Sequence, residues 1–372
     1  VLRVIREGQR QGGTALNYAR VENLLRDPKG QVCGAVVHDL VGDRTEEVQA
    51  KVVINATGAW ADELRGRIGR PRRLRQLRGS HLVFPQDKFP VSKVISFMHP
   101  ADKRPVFAFP WEGVTLVGTT DVDHTTAMET DPQISRDEID YLMSGVKHLF
   151  GCLGLGEGDV ISTVAGIRSV LDTGKANPSK ESRDEVLWDE DGLVTITGGK
   201  LTMFRHMAQT TLRFIHRRLP NHPLPNPLAR ALDRVDERTS DEMVWETDLD
   251  PAKKMRLLGR YGMDAPRILV TSQSEDLLQV AGTPTLWAEL RWAARSEQVV
   301  HLEDLLLRRT RLGLLLPEGG MDEMPNIRKI CQPALGWTDE KWIIEETAYR
   351  NTWLRAFAPP NQLTQTDSGG TQ

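Results

Sequence analysis

Two apolar runs that end abruptly in small residues, Val53-Ile-Asn-Ala-Thr-Gly-Ala59 and Leu193-Val-Thr-Ile-Thr-Gly-Gly199, constrain this chain more than any other feature. Each reads as a strand that turns at once into a helix, the connection at which open α/β sheets present ligands along their carboxyl edge. The stretch between them has a different character. From about Arg72 to Asp121 short runs alternate, His81 to Pro85, Val106 to Pro110 and Val114 to Thr119, the last two joined at Glu112 and Gly113 like a hairpin. An antiparallel sheet is expected there, so the chain reads as α/β plus α: an α/β unit interrupted by a sheet domain and followed by helices.

The remaining elements fill in around this plan. A helix closes near Gly12 and Gly13, a strand covers Ala15 to Leu25, and strands are expected over Val32 to Asp39 and Val48 to Ala56. The run Val52, Val53, Ile54 suggests burial of the last strand on both faces. Ser135 and Glu138 form a capping-box signature before a helix Arg136 to Phe150, with Ile139, Leu142, Val146 and Leu149 on one face. An amphipathic helix is expected from Leu201 to about Leu219, and Pro220, Pro223, Pro225 and Pro227 then mark an extended connection. Helical periodicity follows in Ala252 to Tyr261, Thr285 to Val300, His301 to Leu316 and Glu340 to Ala356, before a polar tail, Pro359 to Gln372, expected to be disordered. These readings divide the chain at 1–71, 72–165, 166–220, a linker 221–240, 241–357 and 358–372. The helical region beyond about 240 is expected to owe little to the α/β sheet and to stay folded as a unit. Because the sequence opens at Val1 within a helical pattern, a domain lacking its N-terminal part is expected.

Composition narrows the function. A chain of 372 residues holds two or three domains, and a formal net charge of −3 gives no whole-chain attraction to nucleic acid. Cys33, Cys152 and Cys331 are scattered, with no CxxC pair, and the histidines show no HxH or HExxH spacing. No metal is expected, and a reducing, cytoplasmic setting fits. No apolar run approaches the roughly 20 residues of a membrane span, so membrane contact would be peripheral. Arg308, Arg309 and Arg311 among leucines could touch anionic lipid, but a core helix with a solvated basic face is the expectation.

Four places could carry chemistry. Ala56, Thr57 and Gly58 either admit a dinucleotide or merely turn the chain. Gly198, Gly199, Leu201 and Thr202 start a helix, whose free amides and dipole favour negative charge, and Lys200 stands beside them; a structural turn is the plain alternative. Arg168 follows a small apolar strand, where a guanidinium either binds a phosphate or carboxylate or forms an internal ion pair, and Arg183 beside Asp184 poses the same choice. His81 opens a strand and could take a hydroxyl proton or simply pack.

Taken in order, INATGAWAD, LRGSHLVFP, FAFPWEGVTLVGTTD, AGIRSVL, SRDEVL and TGGKLTMFRHMA resemble the FAD-dependent glycerol-3-phosphate dehydrogenases, and LEDLLLRRTRLGLLL resembles their helical C-terminal domain. The resemblance implies a partial Rossmann-like FAD-binding domain interrupted by an antiparallel-sheet substrate domain, as in the D-amino-acid-oxidase fold. It implies His81 as general base, Arg168, Arg183 and Lys200 as substrate ligands, and Ala56, Thr57, Gly58, Gly198, Gly199, Leu201 and Thr202 beside FAD. The implied reaction oxidises sn-glycerol 3-phosphate to dihydroxyacetone phosphate and passes electrons to a quinone. Peripheral membrane contact and a homo-oligomer stay open. An amine or D-amino-acid oxidase of the same fold, or a non-catalytic binding module, are the alternatives. Two departures stand out: no GxGxxG occurs, and Ser169 follows the substrate arginine where many relatives carry proline, which puts the local turn in doubt.

Overall fold

The structure, a computed structural model, describes residues 1–126, 128, 131–176, 181–182, 184–245, 249–270, 272 and 274–363. Three sheets organise it. Strands β1 (Ala19–Arg26), β2 (Val32–Asp39) and β3 (Arg44–Gln49) form an antiparallel meander after helix α1 (Leu2–Arg10). Strand β4 (Val53–Asn55) leads through a 3-10 turn, Gly58–Trp60, into α2 (Ala61–Gly66). The expected strand Val48 to Ala56 is therefore two strands in two sheets. β3 is exposed throughout and finishes its hairpin with β2, the chain bends at Lys51, and β4 pairs elsewhere. β4 is not buried on both faces, because Ile54 is 41% exposed.

The central sheet is built from β5 (Leu74–Pro85), β6 (Ile95–Met98), β7 (Pro105–Trp111), β8 (Val114–Gly118), β9 (Val122–Asp123) and β10 (Ser162–Leu171), in the order β10-β5-β8-β7-β6 with β9 on β5. The β7–β8 connection places Glu112 and Gly113 in the left-handed region (φ 50° and 89°), as a two-residue hairpin requires. β5 and β10 pair antiparallel without a bulge from Leu74↔Leu171 to Val83↔Ser162. β10 thus runs unbroken through residue 165, and Arg168 lies inside the strand, not after it. Ser169 is likewise a strand residue opposite Gln76, so no turn follows the arginine.

Helix α3 (Arg136–Phe150) has the expected bounds and capping box, and buries Ile139, Leu142, Met143 and Val146 against the sheet. Leu149, expected on that face, is 44% exposed. Strands β11 (Val186–Glu190) and β12 (Leu193–Thr197) complete the third sheet, in which β12 pairs parallel with β4 and antiparallel with β11. The glycine turn then leads through Leu201–Met203 into α4 (Phe204–Ile215).

No helix or strand lies between residues 219 and 236; beyond come α5 (Glu237–Glu242), α6 (Pro251–Tyr261), α7 (Ala265–Leu269) and α8 (Trp287–Ser296). They are followed by α9 (Leu312–Leu315), α10 (Met324–Leu335), α11 (Asp339–Ala356) and α12 (Pro360–Leu363). Part of the tail expected to be disordered is thus helical, and residues 364–372 lie outside the described ones.

The expected continuous helix His301 to Leu316 is broken: a π-helical turn, Asp304–Arg309, ends at Arg311, which has φ 65°. Its leucines must serve two places, Leu305 and Leu306 in the large core and Leu315 against Val83, Val114 and Leu116. The arginines do not form a solvated basic face. Arg309 donates to the carbonyl of Glu297 (2.7 Å), Arg308 pairs with Glu303 (2.8 Å), and Arg311 lies over the Trp111 ring.

The helical region folds on two cores: a smaller one of its own, with Leu257, Leu258, Ile268 and Leu269 of α6 and α7, and a larger one that it shares with the central sheet. Leu82, Phe84, Val106 and Val117 of the central sheet share one apolar cluster with Leu142 of α3, Leu290 of α8, Trp342 and Trp353 of α11. The unit expected beyond 240 accordingly includes the central sheet, although its core stays separate from the one beneath β12. Helix α1 also docks on the helical region, with Arg6 and Arg10 on Asp264 at 3.2 and 2.8 Å.

Candidate functional site

The small sheet and the central sheet meet along a cleft of about 810 Å³. One wall is the turn after β4, the end of β12 and one side of α4, where Phe204, Ala208 and Leu212 recur every four residues and so share a stripe. These side chains face the cleft and not a core: Phe204 is 40% exposed, Leu212 44% and Leu201 78%. Such a surface is built to be covered by something apolar and flat-sided.

The glycine turn is required by its surroundings. Gly198 and Gly199 take φ of 76° and 69°, and a Cβ on Gly198 would collide with the backbone oxygen of Asp184, one on Gly199 with the sulfur of Met207. The helical segment that follows begins with amides that have no acceptor within it and no side-chain cap at Lys200. Lys200 itself is exposed at the rim. The turn 56–58 is held from below by buried Asn55, whose Nδ2 donates to the carbonyl of Ala61 (2.9 Å) and to Thr195 Oγ1 (3.2 Å). Its Oδ1 accepts from the Thr57 hydroxyl at 2.7 Å.

The opposite wall carries charge. Arg168 pairs with Leu77 in the ladder and therefore shares a sheet face with Gly79 and His81. Its Nη2 donates to the Thr120 carbonyl (2.9 Å) and to Asp121 Oδ1 (3.0 Å). A Cβ on Gly79 would strike this guanidinium, and one on Gly118 would strike the His81 ring, so both glycines make room for the pair. Asp121, fully buried, also lies 3.7 Å from Arg104. Behind it, Thr120 Oγ1 (2.6 Å) and Ser80 Oγ (2.9 Å) donate to Glu138, which pairs with Arg78 at 2.7 Å. Burial pushes the Glu138 pKa up, but hydrogen bonds from Thr120 and Ser135 and the Arg78 charge hold it below the usual carboxylate range.

His81 is half-buried, edge-on to Phe109 with ring centroids 6.4 Å apart. Among the described residues its imidazole has no hydrogen-bond partner. Burial first and the Arg168 charge second push its pKa down to about 4. It is therefore a neutral imidazole across the physiological range.

Seven of the residues singled out in the sequence line this one cleft: Ala56, Gly58, Arg168, Gly198, Gly199, Lys200 and Leu201. Thr57 borders a neighbouring cleft with Trp60 and Arg67, and Thr202 is exposed beside the turn. His81 is next to Arg168 on the sheet face but not on the cleft wall. Arg183 lies outside the described residues. Sequence reasoning missed Asn55, Gln76, Asp121 and Glu138; Asp121 closes the quoted GTTD stretch, and Glu138 was read only as a helix cap. Among the described residues no cluster of three or more side chains could hold a metal, and no helix is long and apolar enough to cross a membrane.

The wall fits the flat, partly apolar ring system of a flavin with an anionic edge. Positive-φ glycines admit close approach of the backbone, the α4 stripe offers apolar cover, and the amides before α4 favour negative charge.

Comparisons with known proteins agree. Residues 1–205 match the family described as FAD dependent oxidoreductase, and residues 229–342 match the C-terminal domain of alpha-glycerophosphate oxidase. The chain is 32% identical over 329 residues to the aerobic glycerol-3-phosphate dehydrogenase of Staphylococcus epidermidis, covering 83% of this chain and 58% of that protein. With the Staphylococcus aureus protein of the same description it is 30% identical over 328 residues, with the same coverage. The chain thus spans a little under three fifths of the length of these relatives. A solved structure of glycerol-3-phosphate dehydrogenase from Bacillus halodurans complexed with FAD superposes with a TM-score of 0.74 at 27% identity, covering 94% of this chain and 72% of that one. With both its glycine-turn cleft and its helical region matched, the chain belongs to the FAD-dependent oxidoreductases, in the group that carries the C-terminal domain of alpha-glycerophosphate oxidase.

Proposed function

We propose that this chain forms most of a site that oxidises sn-glycerol 3-phosphate to dihydroxyacetone phosphate. The observation that carries the reading is a neutral His81 on the same sheet face as Arg168, which is anchored on Asp121 and lines the cleft opposite an apolar, glycine-lined wall. FAD, when bound, supplies the acceptor for the hydride that leaves C2. Gly198, Gly199 and the amides of Leu201 and Thr202 would hold its ring edge, with Ala56 and Gly58 of the neighbouring turn on the same wall and Thr57 behind them.

The chain's own residues do the rest. Arg168, anchored on Asp121, binds the phosphate and Lys200 adds a second cation at the rim; Arg183, outside the described residues, is the third cation that the family resemblance implies. Two or three cations favour a phosphate dianion over the single carboxylate of an amino acid. His81 takes the C2 hydroxyl proton. In the free site it is a weak base, because burial first and the Arg168 charge second depress its pKa; a phosphate that offsets the Arg168 charge relieves the second of these and strengthens the base once substrate is in place.

On this reading the α/β parts, 1–71 and the chain after β10 to 220, form the cofactor side, the central sheet with all of β10 the substrate side, and 241–357 a helical region beyond the 221–240 linker. Electrons pass on to a quinone, which fits a cytoplasmic protein in peripheral contact with the membrane. Anaerobic mixing of the full-length protein with glycerol 3-phosphate, glycerol or a D-amino acid tests the proposal. Only glycerol 3-phosphate should bleach the flavin, and bleaching by the D-amino acid alone would replace this reading with an amine oxidase.

A further inference from the structure

The two walls of the cleft belong to different sheets, and the reaction proposed above needs them at a fixed separation. One line of side-chain hydrogen bonds joins them at the mouth. It starts at Thr195 on β12, passes to Asn55 on β4 and through Asn55 to the turn after it. From the turn it continues across the cleft: Gln76 Nε2 on β5 donates to the carbonyl of Ala59 (2.7 Å), and Ser169 on β10 donates its hydroxyl to Gln76 Oε1 (2.7 Å). The same hydroxyl lies 3.4 Å from the Gly58 carbonyl. Gln76 and Ser169 face each other in the β5–β10 ladder, one pair along from Leu77 and Arg168. Both are half-buried, outside the apolar core.

We infer that Gln76, oriented by Ser169, is a positioning residue that ties the cofactor-side turn 58–59 to the strand carrying Arg168 and so sets the separation of the two halves of the site. The inference rests on the proposed function for its kinetic part only. The bond directions are fixed by chemistry: the Ala59 carbonyl can only accept, so the Gln76 amide nitrogen faces it, its oxygen faces Ser169, and the serine hydroxyl must donate. A second tie, Asp62 accepting the amides of Arg73 and Leu74 at 2.7 Å each, joins α2 to the start of β5 away from the cleft mouth. The fold therefore keeps a joint when the Gln76 bridge is cut, while the turn loses its only side-chain tie to β5 among the described residues.

The test uses the full-length holoprotein and the variants S169A, Q76L, S169T and S169A/Q76L. S169A and Q76L should shift the visible circular dichroism of bound FAD. They should slow flavin bleaching at saturating glycerol 3-phosphate by roughly tenfold, the scale of one lost hydrogen bond in a position-sensitive step. The half-saturating substrate concentration should change by less than about twofold, because Arg168 keeps its Asp121 anchor. S169T, which keeps the hydroxyl, should restore rate and spectrum, and the double variant should be no slower than either single one, since the two residues act as one bridge. Wild-type spectra in S169A and Q76L, wild-type bleaching rates in them, S169T as slow as S169A, or effects that multiply in the double variant would each overturn the inference. If glycerol 3-phosphate does not bleach the wild-type flavin, the substrate reading fails, and the spectra with the threonine rescue still decide the bridge.

Discussion

On the α4 side of the cleft the groups offered to a ligand are backbone amides, glycines and exposed apolar side chains. On the central-sheet side the charged group is Arg168, tied to buried Asp121. The first wall recognises by shape and close approach, and its tolerance to mutation depends on backbone geometry. The second recognises by charge, and its sensitivity lies in single side chains and the carboxylates behind them, Asp121 for Arg168 and Glu138 for Thr120. Changes on the two walls should therefore fail in different observables, flavin binding on one and turnover on the other.

The largest effect expected is at His81. In the full-length protein H81A should keep its FAD and its substrate affinity and lose turnover by roughly 10² to 10⁴-fold, the usual contribution of a general base. The pH dependence sharpens this. With a free-site pKa near 4, kcat/KM should be insensitive to His81 ionisation from pH 6 to 8 and fall only as pH drops toward that value, where the base becomes protonated. The profile of kcat should fall at higher pH than that of kcat/KM, since bound phosphate offsets Arg168. Superimposable profiles, or an H81A variant with normal kcat, would remove His81 from the chemistry.

Next comes R168A. Loss of a partly desolvated, charge-assisted contact costs about 1.5 to 3 kcal/mol, so kcat/KM should fall by roughly 10 to 10²-fold with FAD content unchanged. Loss of the Arg168 partner of the buried Asp121 carboxylate should lower the denaturation midpoint as well. A normal kcat/KM would show that the phosphate binds elsewhere.

The cofactor wall should break at its backbone. G198A puts a side chain into the left-handed region, at about 1 to 3 kcal/mol, and drives its Cβ toward the Asp184 oxygen. FAD affinity measured by reconstitution should weaken by about tenfold or more, whereas R168A leaves it alone. Equal FAD affinity in the two variants would erase the distinction between the walls.

How much of this was legible in the sequence follows from the range of each interaction. Ser135 and Glu138 act across three residues, and the bounds of α3 could be read from them. The other partners of Glu138 are Arg78 and Ser80 of β5 and Thr120 of the β8–β9 link, whose arrangement no local pattern states, so its role behind the substrate wall was invisible. Likewise the apolar run before Asn55 announced a strand but not its sheet, and the hairpin with β2 claimed Arg44–Gln49 separately. The facing of Gln76 and Ser169 depends on a register set across some ninety residues of chain. The glycine turns and Arg168 were legible because a turn into a helix and a lone guanidinium in an apolar strand are local anomalies. What each one faces is not local.

Lys200 should give the smallest effect, and it separates a held cation from an unheld one. Arg168 is held by the Thr120 carbonyl and the buried Asp121 carboxylate; Lys200 is exposed at the rim, on the N-terminal side of the turn into α4. A charge in high dielectric contributes little to binding a partner and is screened by salt, with exposed pairs worth about 0.2 to 1 kcal/mol. K200A should therefore raise KM for glycerol 3-phosphate by only about two- to fivefold at low ionic strength, leave kcat unchanged, and lose most of its effect as salt is added. The R168A defect should persist better at high salt, because Arg168 is half-buried and held against a buried carboxylate. The measurement is KM for both variants across an ionic-strength series. A K200A penalty as large as that of R168A and indifferent to salt would mean that Lys200 closes over the bound phosphate and joins the charged wall, and the division between the two sides would have to be redrawn around it.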